Sequence, residues 1–225
     1  MKEWNKEDFY DFILENKVIG FFEDPITLKS GRKSYWYVNW RNVAEDVYLI
    51  DKLADFLINY VNMNNWDPDC FYGVPEGATK LALLSQYKWA KDQSDYQKGN
   101  YVFSMGRGKA KSHGAAKDRY FLGIPTGKVI ILEDVSTTGN SMIETIKTLK
   151  KLEIDIIAAI CLTNRNELRK DNKSVEEKIG EFGIKYYSMS DALDLLPRLN
   201  PPQEIQKQII SYFDQYGVQS IIFKN

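Results

Sequence analysis

The chain alternates between stretches whose apolar residues recur every three or four positions and short runs that are apolar almost throughout. The first spacing predicts amphipathic helices, the second strands buried on both faces. Residues 5–16 predict a short helix capped by Asn5, with Phe9, Phe12 and Ile13 inward. Asp46 can cap a helix to about Val61, placing Ile50, Leu53, Leu57 and Val61 on one face. Further helices are expected at roughly 78–91, at 140–152 with Met142, Ile146 and Leu149 on the apolar side, at Val175–Phe182, at Asp191–Leu196, and from Pro201 and Pro202 to about Tyr216. Strands are expected at Cys70–Tyr72, Tyr101–Ser104, Lys128–Leu132, Ile154–Leu162 and Ile184–Ser188. Ahead of them, a turn at Lys29-Ser30-Gly31-Arg32 separates two β-like segments, the second carrying Tyr35-Trp36-Tyr37-Val38.

Strands alternating with helices predict an α/β fold with a mostly parallel twisted sheet flanked by helices on both faces. At 225 residues the chain fits a single domain. In such sheets ligands bind beyond the carboxyl ends of the strands. Three chemically distinctive segments leave from those ends: Gly73–Gly77, the start of a basic stretch at 105–123, and residues 136–141.

Composition narrows the classes. An apolar fraction of 44% supports a sizeable core. Thirty basic residues against 31 acidic ones argue against a nucleic-acid binder. Cys70 and Cys161 lie far apart inside apolar runs, as expected of buried, reduced thiols. No apolar run reaches membrane-spanning length, and the charged N-terminus lacks a signal-peptide core. A soluble, cytoplasmic protein is expected.

The densest chemistry is at residues 129–141, Val-Ile-Ile-Leu-Glu-Asp-Val-Ser-Thr-Thr-Gly-Asn-Ser. An apolar strand runs into two carboxylates, Glu133 and Asp134, then into a small-residue turn and a helix. Unpaired N–H groups at a helix start, reinforced by the dipole, suit a phosphate. Gly139 permits close backbone approach and the hydroxyls add donors. The carboxylates can accept from sugar hydroxyls or stand beside a ligand-bound metal. An ordinary strand–turn–helix connection with Thr and Ser as caps would also produce the pattern, but paired acids directly after a buried strand are unusual for packing alone. Neither a Walker-type lysine loop nor a dinucleotide-binding glycine motif is present.

Three other segments carry weaker signals. Gly73-Val74-Pro75-Glu76-Gly77-Ala78 follows a strand and opens a helix. Arg107, Lys109, Lys111 and His113, the last being the sole histidine, crowd a glycine-rich stretch that is either a solvated loop or a cationic lid. Asn164-Arg165-Asn166 places a guanidinium at a strand end, where its fork matches a planar carboxylate.

Taken together, these runs resemble the orotate phosphoribosyltransferases, members of the type I phosphoribosyltransferase family. The resemblance covers about residues 20–190 and rests on 129–141, on Leu28-Lys29-Ser30-Gly31-Arg32-Lys33-Ser34, on Lys111-Ser112-His113-Gly114 and on Arg165. It implies the type I fold, with an N-terminal hood from about residues 1–45. It also implies transfer of a phosphoribosyl group from phosphoribosyl pyrophosphate (PRPP) to orotate, in the synthesis of pyrimidine nucleotides. Thr137, Thr138, Gly139, Asn140 and Ser141 would cradle the 5-phosphate, and Glu133 and Asp134 would meet the ribose hydroxyls. Val74, Pro75, Glu76 and Gly77 would form the pyrophosphate loop, with a non-proline cis peptide near Pro75–Glu76. Lys29 and Arg107 would contact PRPP, and Arg165 and Tyr37 the orotate. Lys111, Lys109 and His113 would close over the site from the neighbouring subunit of a homodimer. Mg²⁺ would arrive bound to PRPP, without dedicated protein ligands. Gly77 and Gly108 stand where many relatives have lysine. The alternatives are a phosphoribosyltransferase for another nucleobase and a PRPP-binding regulatory protein without activity.

Overall fold

The computed structural model describes residues 3–108 and 120–223. In chain order the elements are α1 (Lys6–Glu15), β1 (Ile19–Thr27), β2 (Lys33–Val38), α2 (Arg41–Glu45), α3 (Val47–Met63), β3 (Cys70–Gly73), α4 (Thr79–Lys91), β4 (Met105–Gly106), β5 (Phe121–Leu122), β6 (Lys128–Ser136), α5 (Asn140–Lys150), β7 (Asp155–Asn164), α6 (Val175–Gly180), β8 (Tyr186–Asp191), α7 (Ala192–Arg198) and α8 (Gln203–Tyr216). Six strands form a mixed sheet in the order β5-β4-β3-β6-β7-β8, while β1 and β2 form a separate antiparallel hairpin. The chain divides into two compact units.

The first unit comprises Met1–Trp4, Val43–Asp134 and Asn140–Ile160. Within it β3 pairs in parallel with β4 and β6, and β5 returns antiparallel to β4. Phe71 and Ile130–Leu132 are buried, the near-continuous apolar pattern expected of strands covered on both faces. α3 starts where Asp46 accepts from the Leu49 N–H at 2.9 Å, and it buries Ile50, Leu53, Leu57 and Val61. On α4, buried Gln86 accepts from Phe71 N–H and donates to Asp69 O, both at 2.9 Å, so the start of β3 buries no open backbone groups at these positions.

The second unit comprises Asn5–Asn42, Val135–Gly139 and Cys161–Asn225. Asn5 caps α1 through Glu7 N–H at 2.9 Å. Trp36 on β2 is fully buried and stacks on Phe213 of α8, with ring centroids 6.0 Å apart. Phe9 stacks on Trp40 at 5.9 Å.

Two expectations need correction. The strand expected at Tyr101–Ser104 is displaced to Met105–Gly106, because Met105 is the residue paired with Gly73, and Phe103 projects outward at 55% exposure. Its partner β5 gave no sequence signal, being two residues long. On α1 Phe9 and Ile13 are buried as expected, but the third buried residue is Tyr10 and Phe12 is only half-buried; the Tyr10 hydroxyl can enter the interior because it donates to Asp194 at 3.1 Å.

Candidate active site

Parallel pairing sets the geometry of the first unit's working edge. Gly73 lies level with Leu132 on one side and Met105 on the other, so β3 and β4 end beside the middle of β6, which runs on to Ser136. The next residues along each chain segment are the sequence candidates: Val74–Gly77 after β3, Arg107 after β4, and Glu133 and Asp134 on β6 just past Leu132. Val74 N–H donates to Leu132 O at 2.8 Å, which seats the 74–77 loop beside the acidic pair. The Pro75–Glu76 peptide is cis.

Glu133 is buried at 6% exposure, whereas Asp134 is half-buried. A Cβ on Gly77 would lie 2.5 Å from the carboxyl carbon of Asp134. The absence of a side chain at Gly77 is therefore what lets Asp134 rest against the loop. A Cβ on Gly108 would lie 2.9 Å from Glu76 Oε1, so both lysine-free positions face carboxylates. Val74, Pro75, Arg107 and Ser141 line one cleft of about 300 Å³ together with Tyr72 and Glu144. Burial pushes the Tyr72 phenol up to about 12, so at neutral pH it is a donor and not an anion.

In the second unit, the segment Val135–Gly139 holds the last two residues of β6 and the turn after it, which carries Thr137 and Thr138, both half-buried. Gly139 has φ +64°, and a Cβ there would stand 2.6 Å from Val175 Cγ1, so glycine is needed for both conformation and space. Arg169 donates to Thr138 O and anchors the turn from outside. No local pattern around Arg169 points to that anchor.

Arg165 does not stand free at the end of β7. It is 1% exposed, with its guanidinium carbon 3.5 Å from the centre of the Trp36 ring. Its Nε donates to Glu167 Oε1 at 2.7 Å and its Nη2 to Ser34 Oγ at 3.1 Å. Glu167 also accepts from Arg32 at 2.5 Å. Glu167, Arg32, Ser34 and Trp36 were not singled out as site residues, although three of them lie in or beside the Lys29–Ser34 run. Tyr37 lies on the other face of β2, 36% exposed, because strand side chains alternate. Lys29 is exposed in the hairpin turn. Asn140 and Ser141 are exposed in the first turn of α5. Lys109, Lys111 and His113 lie outside the described residues.

Known proteins match this arrangement. Residues 90–187 fit the phosphoribosyl transferase domain model. An orotate phosphoribosyltransferase of Buchnera aphidicola subsp. Baizongia pistaciae is 30% identical over 204 residues, covering 87% of this chain and 92% of the relative. The chain belongs to the orotate phosphoribosyltransferase family. The enzyme of that name from Agathobacter rectalis is 28% identical over 94% of this chain and 97% of its own length. Among solved structures, the orotate phosphoribosyltransferase of Francisella tularensis shares the fold, with TM-score 0.68, 22% identity, and coverage of 93% of this chain and 99% of that one.

Proposed function

We propose that this protein joins orotate to PRPP, giving orotidine 5′-monophosphate and pyrophosphate, in pyrimidine nucleotide synthesis. The observation that carries this reading is family membership over nearly the full chain. It is supported by the common edge on which the 74–77 loop, Arg107 and the acidic pair lie. The reaction displaces pyrophosphate from the ribose anomeric carbon, with oxocarbenium character. Orotate arrives as an anion, so positioning and charge stabilisation do most of the work.

The backbone amides of the 74–77 loop and the guanidinium of Arg107 receive the pyrophosphate. Thr137, Thr138 and Ser141 receive the 5-phosphate at the start of α5. Glu133 and Asp134 accept from the ribose hydroxyls. Arg165 selects orotate through its carboxylate. Lys111, Lys109 and His113 act as a lid over the leaving group, contributed by the second subunit of a homodimer.

Among the described residues no group of three or more His, Cys, Asp or Glu side chains is placed to hold a metal ion. The oxygen donors Glu133 and Asp134 fit the outer shell of a hard cation that PRPP itself chelates. Mg²⁺ bound in that way would neutralise charge on the leaving pyrophosphate. No helix among the described residues is long and apolar enough to cross a membrane.

The test is loss of orotate ultraviolet absorbance when purified protein meets orotate and PRPP, with and without Mg²⁺, alongside uracil and hypoxanthine. Turnover with orotate only, and only with Mg²⁺, is expected. Turnover with another base would reassign the substrate, and PRPP binding without turnover would indicate a regulatory protein.

A further inference from the structure

Glu167 is the most fully enclosed carboxylate of the second unit's charged cluster, with 0% side-chain exposure. Each of its oxygens serves a different arginine. Oε1 accepts from Arg165 Nε at 2.7 Å, and Oε2 accepts from Arg32 Nη1 at 2.5 Å. Its backbone is held as well. Glu167 bridges antiparallel to Gly217, with Leu168 N–H donating to Tyr216 O at 2.7 Å and Val218 N–H donating to Asn166 O at 2.8 Å. Arg32 closes the arrangement by donating to Leu168 O at 2.6 Å and lying 4.6 Å from the centre of the Tyr216 ring. The carboxylate is thus fixed at both ends, by two guanidinium groups and by the segment that follows α8.

This arrangement decides which edge of Arg165 is available. A guanidinium has five N–H donors and two edges able to grip a carboxylate: the terminal pair Nη1/Nη2, or the side pair Nε/Nη2. Glu167 occupies Nε. The four N–H donors of the terminal nitrogens meet Ser34 Oγ at 3.1 Å and Trp36 O at 3.5 Å, the latter at the outer limit of a hydrogen bond, and the buried Tyr212 hydroxyl also interacts with Arg165. Donor capacity therefore remains at the terminal edge. The ring of Trp36 beneath the guanidinium carbon, 3.5 Å away, fixes the plane of the fork.

We infer that Glu167 is a positioning residue for substrate selection: anchored by the segment after α8, it holds Arg165 so that the terminal guanidinium edge is presented to the carboxylate of the base. The inference rests on the reading of Arg165 as the orotate-selecting residue. Without Glu167 the fork can turn about its last torsion and offer Nε instead, and Arg165 and Arg32 lose the anion between them. The group acts through Arg165 and does not itself touch the substrate.

The experiment is steady-state kinetics of Glu167→Gln with orotate and PRPP varied separately, beside Arg165→Ala. Glu167→Gln is expected to raise the orotate KM about tenfold or more while the PRPP KM stays within about twofold. Two buried guanidinium groups with no carboxylate between them threaten folding. The double variant Arg32→Gln/Glu167→Gln, which removes one charge of each sign, is therefore assayed alongside and is expected to show the same one-sided rise. Equal KM values for wild type and the Glu167 variants overturn the inference. So do parallel losses for both substrates, or failure of both variants to fold, since each marks Glu167 as structural only. An unchanged orotate KM in Arg165→Ala refutes the underlying role of Arg165 instead, and so separates the two failures.

Discussion

The carboxylate of Asp134 rests in the space that a side chain on Gly77 would fill, its carboxyl carbon 2.5 Å from where a Cβ would stand. The loop and the acidic pair therefore share one packing solution: neither can be altered without moving the other. Gly77→Ala should displace Asp134 or the loop, and should lower kcat/KM for PRPP by about tenfold or more. The chain fold should survive, because Gly77 is at the surface. Kinetics with PRPP varied, together with a thermal melt, check this. Wild-type kinetics in the alanine variant would show that Asp134 can shift without consequence.

Arg169 offers a test on the other side of the phosphate turn. It donates to Thr138 O, and its Nε lies 3.4 Å from Asp171. Removing the guanidinium in Arg169→Ala frees a turn whose amides are assigned to the 5-phosphate. The PRPP KM should rise several-fold, with orotate KM and stability changed far less. A rise in both KM values together would mean that the arginine holds more than the turn.

The contrast between these residues explains how much of the site could be read in advance. Asn5 and Asp46 were legible as caps because capping is local, reaching only two or three residues along the chain. The β6–turn–α5 run was legible because strand, acids, glycine and helix start follow one another in sequence. Glu167 was not, because its partner Arg32 lies 135 residues away and Glu167 itself sits in an unremarkable Asn-Glu-Leu segment. Arg165 was found by type and place, but its burial against Trp36 was not, since neither residue signals the other across 129 positions. Strand β5 escaped for a different reason: two residues carry no measurable alternation.

Trp36 makes the consequence for stability explicit. It is fully buried, stacks on Phe213, meets Tyr212 edge-on at 6.4 Å and lies under the Arg165 guanidinium. Trp36→Ala would leave a large cavity beneath a buried charge and should cost about 3–5 kcal/mol. Trp36→Phe keeps an aromatic face and should cost distinctly less. Urea unfolding monitored by far-ultraviolet circular dichroism distinguishes these outcomes. Equal midpoints for the two variants would show that cavity size and ring stacking at this position are unimportant.

Cys70 supplies a test of the first unit's core that is independent of catalysis. Its thiol is buried beside the start of β6, and burial pushes its pKa from 9.0 up to about 12. At pH 8 only about one molecule in ten thousand then carries the reactive thiolate at this position. A thiol reagent should therefore leave Cys70 unmodified in the native protein and label it in denaturant. The same shift has a sign for stability. The neutral thiol is favoured in the fold, so its contribution is fully present below pH 9 and is lost as the pH rises toward 12. Over that window it steepens the fall in stability by up to about 1.4 kcal/mol per pH unit. Tyrosines and lysines titrate in the same range, so the comparison must be made with Cys70→Ala, whose stability should fall less steeply above pH 9. Identical slopes, or ready labelling of Cys70 in the native state, would mean that the interior around β3 and β6 opens to solvent.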